Sequence, residues 1–504
     1  MSLISRSFSS IARCICKAAA SGRQVNLKLS EVREACPYVR SMGHLSQDSL
    51  AEMASLCPVM SRIESPVRIE NDVRCPHDVP KEVVKQEHPL RSNTYENNFQ
   101  AKIDSLHAEG RYRYFANLKR HCGDFPNATY RSHDDQEELK IKIFCSNDYL
   151  GMGQNPKVLE ACHSAIDEAG AGAGGTRNIS GTTRYHVDLE NELADLHQTE
   201  ASLVCTSCFV ANEAALGIMG KLLPDLIMIS DAGNHSSMIE GIRHSKCEKV
   251  IYRHNDLDHL ESILKSLPID RPKLIVFESV YSMSGTISDI AGTCRLAKRY
   301  NALTFLDEVH AVGMYGDRGA GVAEQEGVMD QVDIISGTLG KAFGVGGGYI
   351  AGPKSYVDCV RSFAPGFIFT TAIAPVIAAG ALAAVRHLKQ SRIERETQQL
   401  RAKQLKIKLK QKGLPVMDNP SHIVPLLVGD PVKCKSLTDS LLAKHKVYLQ
   451  PINFPTVDRG TERVRITPGP LHSEDDLDYL TSALDAEWTR LGLLRTATAV
   501  AVNA

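Results

Sequence analysis

Short apolar runs alternate with helix-like stretches through the middle of the chain. Each run spans four residues and is rich in aliphatic and aromatic side chains, which is typical of buried strands. The five clearest runs are Ile141–Phe144, Ser202–Cys205, Leu226–Ile229, Leu274–Phe277 and Leu303–Leu306. Short runs separated by amphipathic helices predict an α/β fold, with a mainly parallel sheet covered by helices on both faces.

The pattern changes on either side of this region. Helical spacing is present at about 98–118, before the first run. After about residue 386, a charged helix over 393–412 stops at Gly413, and short apolar strands follow at 424–428, 447–449 and 464–466. We therefore expect a smaller C-terminal α+β domain after the large α/β domain.

The first 95 residues have a different character. Residues 1–30 carry five basic side chains, seven serines and no acid, with apolar residues at roughly helical spacing. That composition predicts a mitochondrial transit peptide and hence the matrix as destination, although a disordered basic tail would share it. The proline-rich stretch that follows shows no period and predicts a flexible linker.

These observations predict six segments. They are a transit peptide (1–50), a linker (51–95), an N-terminal segment (96–145), a large catalytic domain (146–385), a small C-terminal domain (386–492) and a tail (493–504).

Charge and cysteine content narrow the class of protein. The chain has 58 basic and 59 acidic residues, so it lacks the basic excess typical of nucleic-acid binders. The longest apolar stretch, Ala372–Val385, contains a proline and a glycine and is too short to cross a bilayer, which predicts a buried helix and no membrane span. The 14 cysteines form no compact paired framework, and we expect mostly reduced thiols.

Two polar segments at predicted strand ends suggest covalent cofactor chemistry. Lys341 lies among glycines and small hydroxyls in 336–344, where an amine is open enough to form a Schiff base with an aldehyde. The glycine spacing there does not match a nucleotide phosphate loop. Asp307 ends an apolar run 34 residues earlier, where a carboxylate can pair with a pyridinium nitrogen, and His310 follows it.

Two further turns add a phosphate site and a stacking group. The backbone N–H groups of Ser207, Cys208 and Phe209 fall at a predicted helix start, which is a natural position for a phosphate. His235 follows another strand and can stack on a flat ring. A histidine at a strand end is more often a structural hydrogen-bonding group, but here it is one member of a set.

Together these motifs resemble the α-oxoamine synthase family of fold-type I pyridoxal-phosphate enzymes, most of all its 5-aminolevulinate-forming branch, over about residues 98–491. The resemblance implies a homodimer that binds pyridoxal 5'-phosphate. It implies that Lys341 carries the cofactor and moves a glycine proton, that Asp307 pairs with the pyridine nitrogen and that His310 bonds the phenolic oxygen. Further cofactor residues implied by it are His235, Ser282, Thr338 and, from the neighbouring subunit, Thr370 and Thr371.

The resemblance also implies glycine and succinyl-CoA as substrates, giving 5-aminolevulinate, the first step of haem synthesis. A free carboxylate on the acyl donor needs a cation, and Arg113 matches the arginine that meets it. Arg465 matches the residue that holds the glycine carboxylate. Other matched substrate positions are Asn147, Thr176, Asn178, Ile179, Ser230, Lys249 and Thr456.

Three alternatives remain open. Glycine C-acetyltransferase shares the cofactor chemistry, but Arg113 and the long N-terminus argue against it. A catalytically silent partner subunit would be expected to lack the lysine. A metal enzyme using His254, Asp256, Asp258 and His259 would need a ligand spacing that this polar stretch does not have, and we predict no metal site.

Cys36, Cys57 and Cys75 are each followed by proline, and these are the only such pairs in the chain. Chance at this composition predicts fewer than one. Proline keeps the local backbone extended and removes one N–H, which leaves the sulfur accessible to haem iron. The pairs resemble haem regulatory motifs, so we predict regulatory haem binding, against the alternative that a proline-rich linker simply contains cysteines.

Overall fold

The computed structural model describes residues 94–132 and 138–496. In chain order the strands of these residues are β1 (Asn117–Arg120), β2 (Asn127–Arg131), β3 (Glu138–Ile143), β4 (Ala201–Cys205), β5 (Ile227–Asp231), β6 (Glu248–Tyr252), β7 (Lys273–Glu278), β8 (Leu303–Asp307), β9 (Ile334–Thr338), β10 (Gly348–Gly352), β11 (Val424–Leu427), β12 (Val447–Tyr448), β13 (Pro451–Ile452) and β14 (Arg463–Ile466).

The α-helices are α1 (Thr94–Ala108), α2 (Pro156–Ala169), α3 (Arg184–His197), α4 (Cys208–Gly217), α5 (Met219–Leu222), α6 (Ser236–Ser245), α7 (Leu257–Ser266), α8 (Ile290–Arg299), α9 (Val322–Gln325), α10 (Lys354–Phe363), α11 (Pro365–Ile368), α12 (Pro375–Gln390), α13 (Ile393–Gln411), α14 (Pro431–His445) and α15 (Glu474–Arg490).

The largest sheet has seven strands in the order β4-β10-β9-β8-β7-β5-β6. Strands β6, β5, β7, β8 and β9 run parallel to one another, whereas β10 is antiparallel to both of its neighbours. The prediction of a mainly parallel α/β sheet is therefore confirmed, with one antiparallel strand that the apolar pattern does not reveal.

Alternate residues of these strands enter two different cores, which is why their apolar runs are continuous. Phe277 and Leu306 pack in one core, while Val276 and Phe305 pack in the other. Successive side chains of a strand point to opposite faces, so a strand covered on both sides is apolar at most of its positions. The helix runs along the chain supply those covers, with α4 packed on α6 and α12 on α2 and α3.

A second group of elements combines the two ends of the described chain. β12 pairs in parallel with β3 to complete a four-stranded sheet, β1-β2-β3-β12. β11, β14 and β13 form a third sheet. Helices α13, α14 and α15 contribute to a core that includes Phe144 and the fully buried Trp488. The predicted N-terminal segment and small domain thus share one sheet, and the proposed segment boundaries remain predictions.

Two expectations drawn from the sequence were wrong. The first apolar run lies in β3, outside the seven-stranded sheet, because it pairs with β2 and β12. The helical spacing at 98–118 extends too far: α1 ends at Ala108, Gly110 follows with φ +65°, and 117–120 is a strand.

The apolar stretch around 372–385 forms the buried helix α12, as expected. Among the described residues, no helix combines the length and apolar character needed to cross a membrane. The nine cysteines of this part of the chain are all free thiols.

Candidate active site

The polar residues predicted to carry the chemistry meet at the carboxyl edge of the parallel strands. β5, β7, β8 and β9 end at Asp231, Glu278, Asp307 and Thr338. Parallel strands place their carboxyl ends at the same edge, where ligands of open α/β sheets bind. The loops after these strands then bring Lys341 to that edge.

Lys341 lies in a tight turn after β9. The turn is closed by Leu339 N–H donating to Gly347 O at 3.0 Å and by Val345 N–H donating to Leu339 O at 2.9 Å. The Lys341 Nζ lies 3.0 Å from His310 Nε2. Burial lowers the pKa of the Lys341 amine to about 8, against an opposing contribution from the Asp307 carboxylate. A neutral amine is the nucleophilic form, so this lysine suits Schiff-base chemistry.

His310 is held by a residue that the sequence reading missed. The other ring nitrogen of His310, Nδ1, lies 2.9 Å from the hydroxyl of the buried Tyr149. Burial and the nearby cations Lys341 and Arg465 hold the pKa of His310 well below its ordinary value. The imidazole is therefore neutral, with a fixed orientation. Tyr149 belongs to the stretch that contributes Asn147, but no sequence signal separates it from an ordinary core tyrosine.

Asp307 also has an unpredicted partner. Its carboxylate accepts from Asn212 Nδ2 at 2.7 Å and from Val309 N–H at 2.8 Å. Burial raises the pKa of Asp307, while these donors and the charges of His235 and Lys341 oppose that rise. A cation placed at this carboxylate would favour its charged form. Asn212 lies on a buried helix face, where an isolated asparagine gives no warning of its role.

The same asparagine links Asp307 to His235. Asn212 Nδ2 also donates to Ser237 Oγ, which in turn lies 2.8 Å from His235 Nδ1. The backbone N–H of His235 donates to the buried Glu278 carboxylate at 2.7 Å. The imidazole that we expect to stack on a cofactor ring is thus fixed both through its side chain and through its backbone.

The start of α4 has the features of a phosphate site. The first amides of a helix have no partner within the helix, and here the Ser207 side chain takes only the N–H of Val210. The N–H groups of Cys208 and Phe209 are therefore available. A Cβ added at Gly348 would lie 2.1 Å from Cys208 N, so glycine on β10 leaves space at this helix start. Thr338, buried at the end of the neighbouring strand, donates to Gly347 O at 3.3 Å.

This donor set fits pyridoxal 5'-phosphate. An amine with a lowered pKa, a buried carboxylate, a fixed imidazole and a helix start with free amides lie at one sheet edge. These are the groups that an aldehyde, a pyridine nitrogen, a ring face and a phosphate would require.

Two arginines mark the side where a substrate would enter. Arg465 Nη2 donates to Asn147 Oδ1 at 2.7 Å, and its Nη1 donates to Ser282 O at 3.4 Å. Arg113 Nη2 donates to Thr456 Oγ1 at 2.9 Å. The structure therefore brings four predicted substrate residues together in two pairs, although the partners are 318 and 343 positions apart in sequence.

Other predicted residues have different partners in this chain. Thr176 pairs with Thr371 through an isolated bridge, next to the exposed Asn178 and Ile179. The hydroxyl of Thr370 donates to Gly366 O at 2.6 Å.

Two predicted substrate residues lie on β5 and β6, the last two strands of the seven-stranded sheet. Ser230 is buried and accepts from Asn234 Nδ2 at 2.9 Å. Lys249 is exposed on the edge strand β6, three positions before its end, and the structure does not bring it into this group. The cysteines Cys36, Cys57 and Cys75 lie outside the described residues.

The residues considered for a metal site have other partners. His254 Nδ1 lies 2.8 Å from the buried Asp231 carboxylate, and its Nε2 lies 2.8 Å from Thr286 Oγ1. Asp256 caps α7 by accepting from His259 N–H at 2.8 Å. Within the part of the chain that the structure describes, no group of three or more His, Cys, Asp or Glu side chains is arranged to hold a metal ion.

Comparison with known proteins agrees with this geometry. Residues 140–484 match the family model for aminotransferase class I and II. A serine palmitoyltransferase of Sphingomonas wittichii superposes with a TM-score of 0.72 at 26% identity, covering 80% of this chain and 99% of that one. A structure described as SPT with PLP internal aldimine superposes with a TM-score of 0.73 at 26% identity, covering 80% of this chain and all of that one.

Other relatives share a higher sequence identity with this chain than these two structures do. The 5-aminolevulinate synthase of Rhizobium meliloti is 58% identical over 401 residues, which is 80% of this chain and 99% of the relative. The mitochondrial 5-aminolevulinate synthase of Yarrowia lipolytica is 44% identical over 92% of this chain and 93% of the relative. The resemblance read from the motifs is confirmed, and the chain belongs to the 5-aminolevulinate synthase family.

Proposed function

We propose that the protein condenses glycine with succinyl-CoA to give 5-aminolevulinate, CoA and CO₂. The observation that carries this proposal is the Lys341 amine, with its lowered pKa, held 3.0 Å from a neutral His310 beside the Asp307 carboxylate. Family membership supports the same reaction. A silent partner subunit would have no need for an amine poised in this way.

When bound, pyridoxal 5'-phosphate supplies an aldehyde that condenses with amines and a ring that accepts electrons. Lys341 is the group that joins that aldehyde and later takes the proton from the glycine α-carbon. Asp307 would hold the pyridine nitrogen in its charged form, since Asn212 and Val309 fix the carboxylate in place. His310 lies next to the amine and, being neutral, can donate or accept one hydrogen bond without adding charge.

The glycine carboxylate would bind to Arg465. The Asn147 side chain fixes this guanidinium group by accepting from Nη2, and the Ser282 carbonyl accepts from Nη1, which leaves the remaining N–H donors for a substrate. The glycine α-carbon, once its proton is removed, would form a bond to the thioester carbon of the donor, and CoA would leave as the thiolate. The former glycine carboxylate would then be lost as CO₂, and protonation of the same carbon would give the product.

The acyl donor would be recognised through Arg113 and Thr456. Their guanidinium and hydroxyl groups are already in contact, and both side chains are exposed, so a carboxylate can reach them. This cation favours succinyl-CoA over acetyl-CoA, the donor of glycine C-acetyltransferase.

The donor choice can be tested by replacing Arg113 with leucine. We expect kcat/KM for succinyl-CoA to fall at least tenfold more than that for acetyl-CoA, because loss of a charged partner costs about 2–5 kcal/mol. Formation of 5-aminolevulinate from succinyl-CoA by the unaltered enzyme is the direct test of the function. Equal losses for both donors in the variant would contradict the role of Arg113.

We further propose a homodimer in which Thr370 and Thr371 reach the phosphate in the partner's site. Exposed apolar side chains next to these threonines support it: Ile179 is 77% and Phe369 is 79% accessible in the single chain. Such side chains are a common sign of a covered surface. Sedimentation equilibrium should give twice the chain mass, and a monomer with full activity would contradict this proposal.

Mitochondrial relatives support a mitochondrial location, and we propose the matrix as the compartment.

We also propose that haem binds Cys36, Cys57 and Cys75 and limits import or lifetime of the precursor. A haem difference spectrum of the full-length chain should disappear when all three cysteines are changed to alanine. An unchanged import rate and lifetime of that variant with haem supplied would contradict the regulatory role.

A further inference from the structure

Two irregular segments far apart in sequence meet beside the proposed acyl-donor residues. Residues 109–113 lead out of α1 towards β1, and residues 453–459 belong to the loop between β13 and β14. Arg113 on the first segment donates to Thr456 on the second at 2.9 Å. One hydrogen bond between exposed side chains contributes little net stability, so other contacts must hold these segments together.

An aromatic ring provides the first of these contacts. The guanidinium carbons of Arg111 and Arg459 lie 4.8 Å and 4.9 Å from the centroid of the Phe454 ring. Arg111 Nε also donates to Phe454 O at 3.1 Å. Both cations lie within the distance at which a ring attracts a guanidinium group.

A single carboxylate makes this arrangement possible. Glu109 Oε2 lies 2.7 Å from Arg111 Nη1 and 2.7 Å from Arg459 Nη2. The two arginines and Ser105 lower the pKa of Glu109 to about 2, so it stays charged at any physiological pH. Without that charge, two cations would lie close to one ring with no shared counter-charge. We refer to Glu109, Arg111, Phe454 and Arg459 as the loop clamp.

An amide adds a link between the same two segments. Asn453 Nδ2 donates to Gly110 O at 3.2 Å and to Pro431 O at 3.2 Å, the latter at the start of α14. The loop is thus tied to the segment before β1 on one side and to a helix of the C-terminal core on the other.

We propose that the loop clamp positions Thr456 against Arg113 and thereby sets the affinity of the enzyme for its acyl-CoA donor. This rests on the proposed role of Arg113 in recognising the donor. The clamp residues are positioning residues, because they act through the Arg113–Thr456 pair rather than on reacting atoms. Their spacing in sequence gives no sign of this role, since Glu109 and Arg459 are 350 residues apart.

The alternative is that these ion pairs are ordinary surface pairs. Exposed pairs commonly contribute almost nothing to stability and nothing to substrate binding. The two explanations differ in what a substitution changes. A surface pair would alter at most the melting temperature, whereas a positioning device would alter KM for the acyl donor and leave glycine binding unchanged.

The test compares Glu109→Gln with Glu138→Gln in the holoenzyme. Glu138 is a matched control, because it makes an exposed ion pair at 2.5 Å with Arg131, its cross-strand partner between β2 and β3. For Glu109→Gln we expect KM for succinyl-CoA to rise roughly three- to tenfold, the range expected for the loss of two charge pairs. KM for glycine, and the absorbance change of the cofactor on adding glycine, should stay within about twofold of the unaltered enzyme.

Two further variants keep the proposal testable if Glu109→Gln folds poorly. Arg459→Gln changes an exposed loop residue and should raise the same KM, and Arg459→Lys should restore part of the loss by keeping the charge. Combining Glu109→Gln with Arg459→Gln should cost less than the sum of the single effects, since both remove the same ion pair.

The possible outcomes distinguish failure of the loop-clamp proposal from failure of the proposed function. If the unaltered enzyme forms 5-aminolevulinate but Glu109→Gln and Arg459→Gln both behave like Glu138→Gln, the clamp proposal is wrong and the function stands. If the unaltered enzyme shows no product and no absorbance change with glycine, the proposed function fails, and the clamp's role fails with it.

Discussion

We predict that the Lys341 amine of the enzyme without cofactor titrates far below an ordinary lysine. A shift from 10.5 to about 8 corresponds to about 3 kcal/mol against the protonated form. At pH 7.5 about a quarter of the amine is then neutral, compared with about one part in a thousand for an ordinary lysine. Burial is the main cause, and charges nearby adjust the value in both directions.

The nearby charges can be changed one at a time with opposite results. Asp307 raises the pKa of Lys341 and Arg465 lowers it. We therefore expect Asp307→Asn to move the midpoint down and Arg465→Gln to move it up, each by about one pH unit for a partly screened charge. Burial is the same in both variants, so the sign of each shift isolates the Coulomb contribution.

Competitive acylation of the apoenzyme measures this midpoint directly. The fraction of Lys341 modified at each pH, quantified by peptide mapping against a surface lysine as internal reference, gives the titration curve. Lys298, exposed at the end of α8, is a suitable reference. A midpoint near 10.5, or shifts of the same sign in both variants, would refute the reasoning.

Three other predictions follow from buried groups. Asn212→Ala removes a donor from the Asp307 carboxylate, so we expect roughly a tenfold loss of kcat/KM and a shifted absorbance–pH profile; unchanged spectra would contradict its role. Trp488→Ala should lower the free energy of unfolding by about 3–5 kcal/mol, and a loss below about 1 kcal/mol would contradict its core position. Denaturant unfolding is followed by circular dichroism, because the variant has no tryptophan left for fluorescence. His197 is buried against Tyr349, and burial lowers the pKa of its imidazole from 6.5 to about 3. Between these two values the unfolded chain binds more protons than the folded chain, so the free energy of unfolding falls as the pH drops below 6.5. His197→Gln should reduce that pH dependence.

The sequence by itself determined the fold class and the main chemical residues. Strands covered on both faces are apolar at most positions, so β4, β5, β7 and β8 are visible as short apolar runs. Reactive residues of parallel sheets follow strand ends, which is why Asp307, His235 and Lys341 could be placed at one edge from spacing and residue type. These features depend on contacts close in sequence or on a single repeating period.

The residues that hold the chemistry in place were decided only by the tertiary structure. Tyr149 reaches His310 from 161 positions away, and Asn212 reaches Asp307 across 95. A buried tyrosine or asparagine carries no local signal of its partner, because hydrogen bonds between elements depend on how helices pack on the sheet.

The same reason explains why the sequence left strand pairing and strand direction undecided. β3 is an apolar run like the others, yet it pairs with β12 from the far end of the chain rather than with the main sheet. β10 resembles its neighbours in composition, but it follows β9 through a short turn and therefore runs antiparallel to it. Sequence patterns define which residues are buried in a strand, whereas pairing partners and strand direction are set by the loops and cores that join the elements in space.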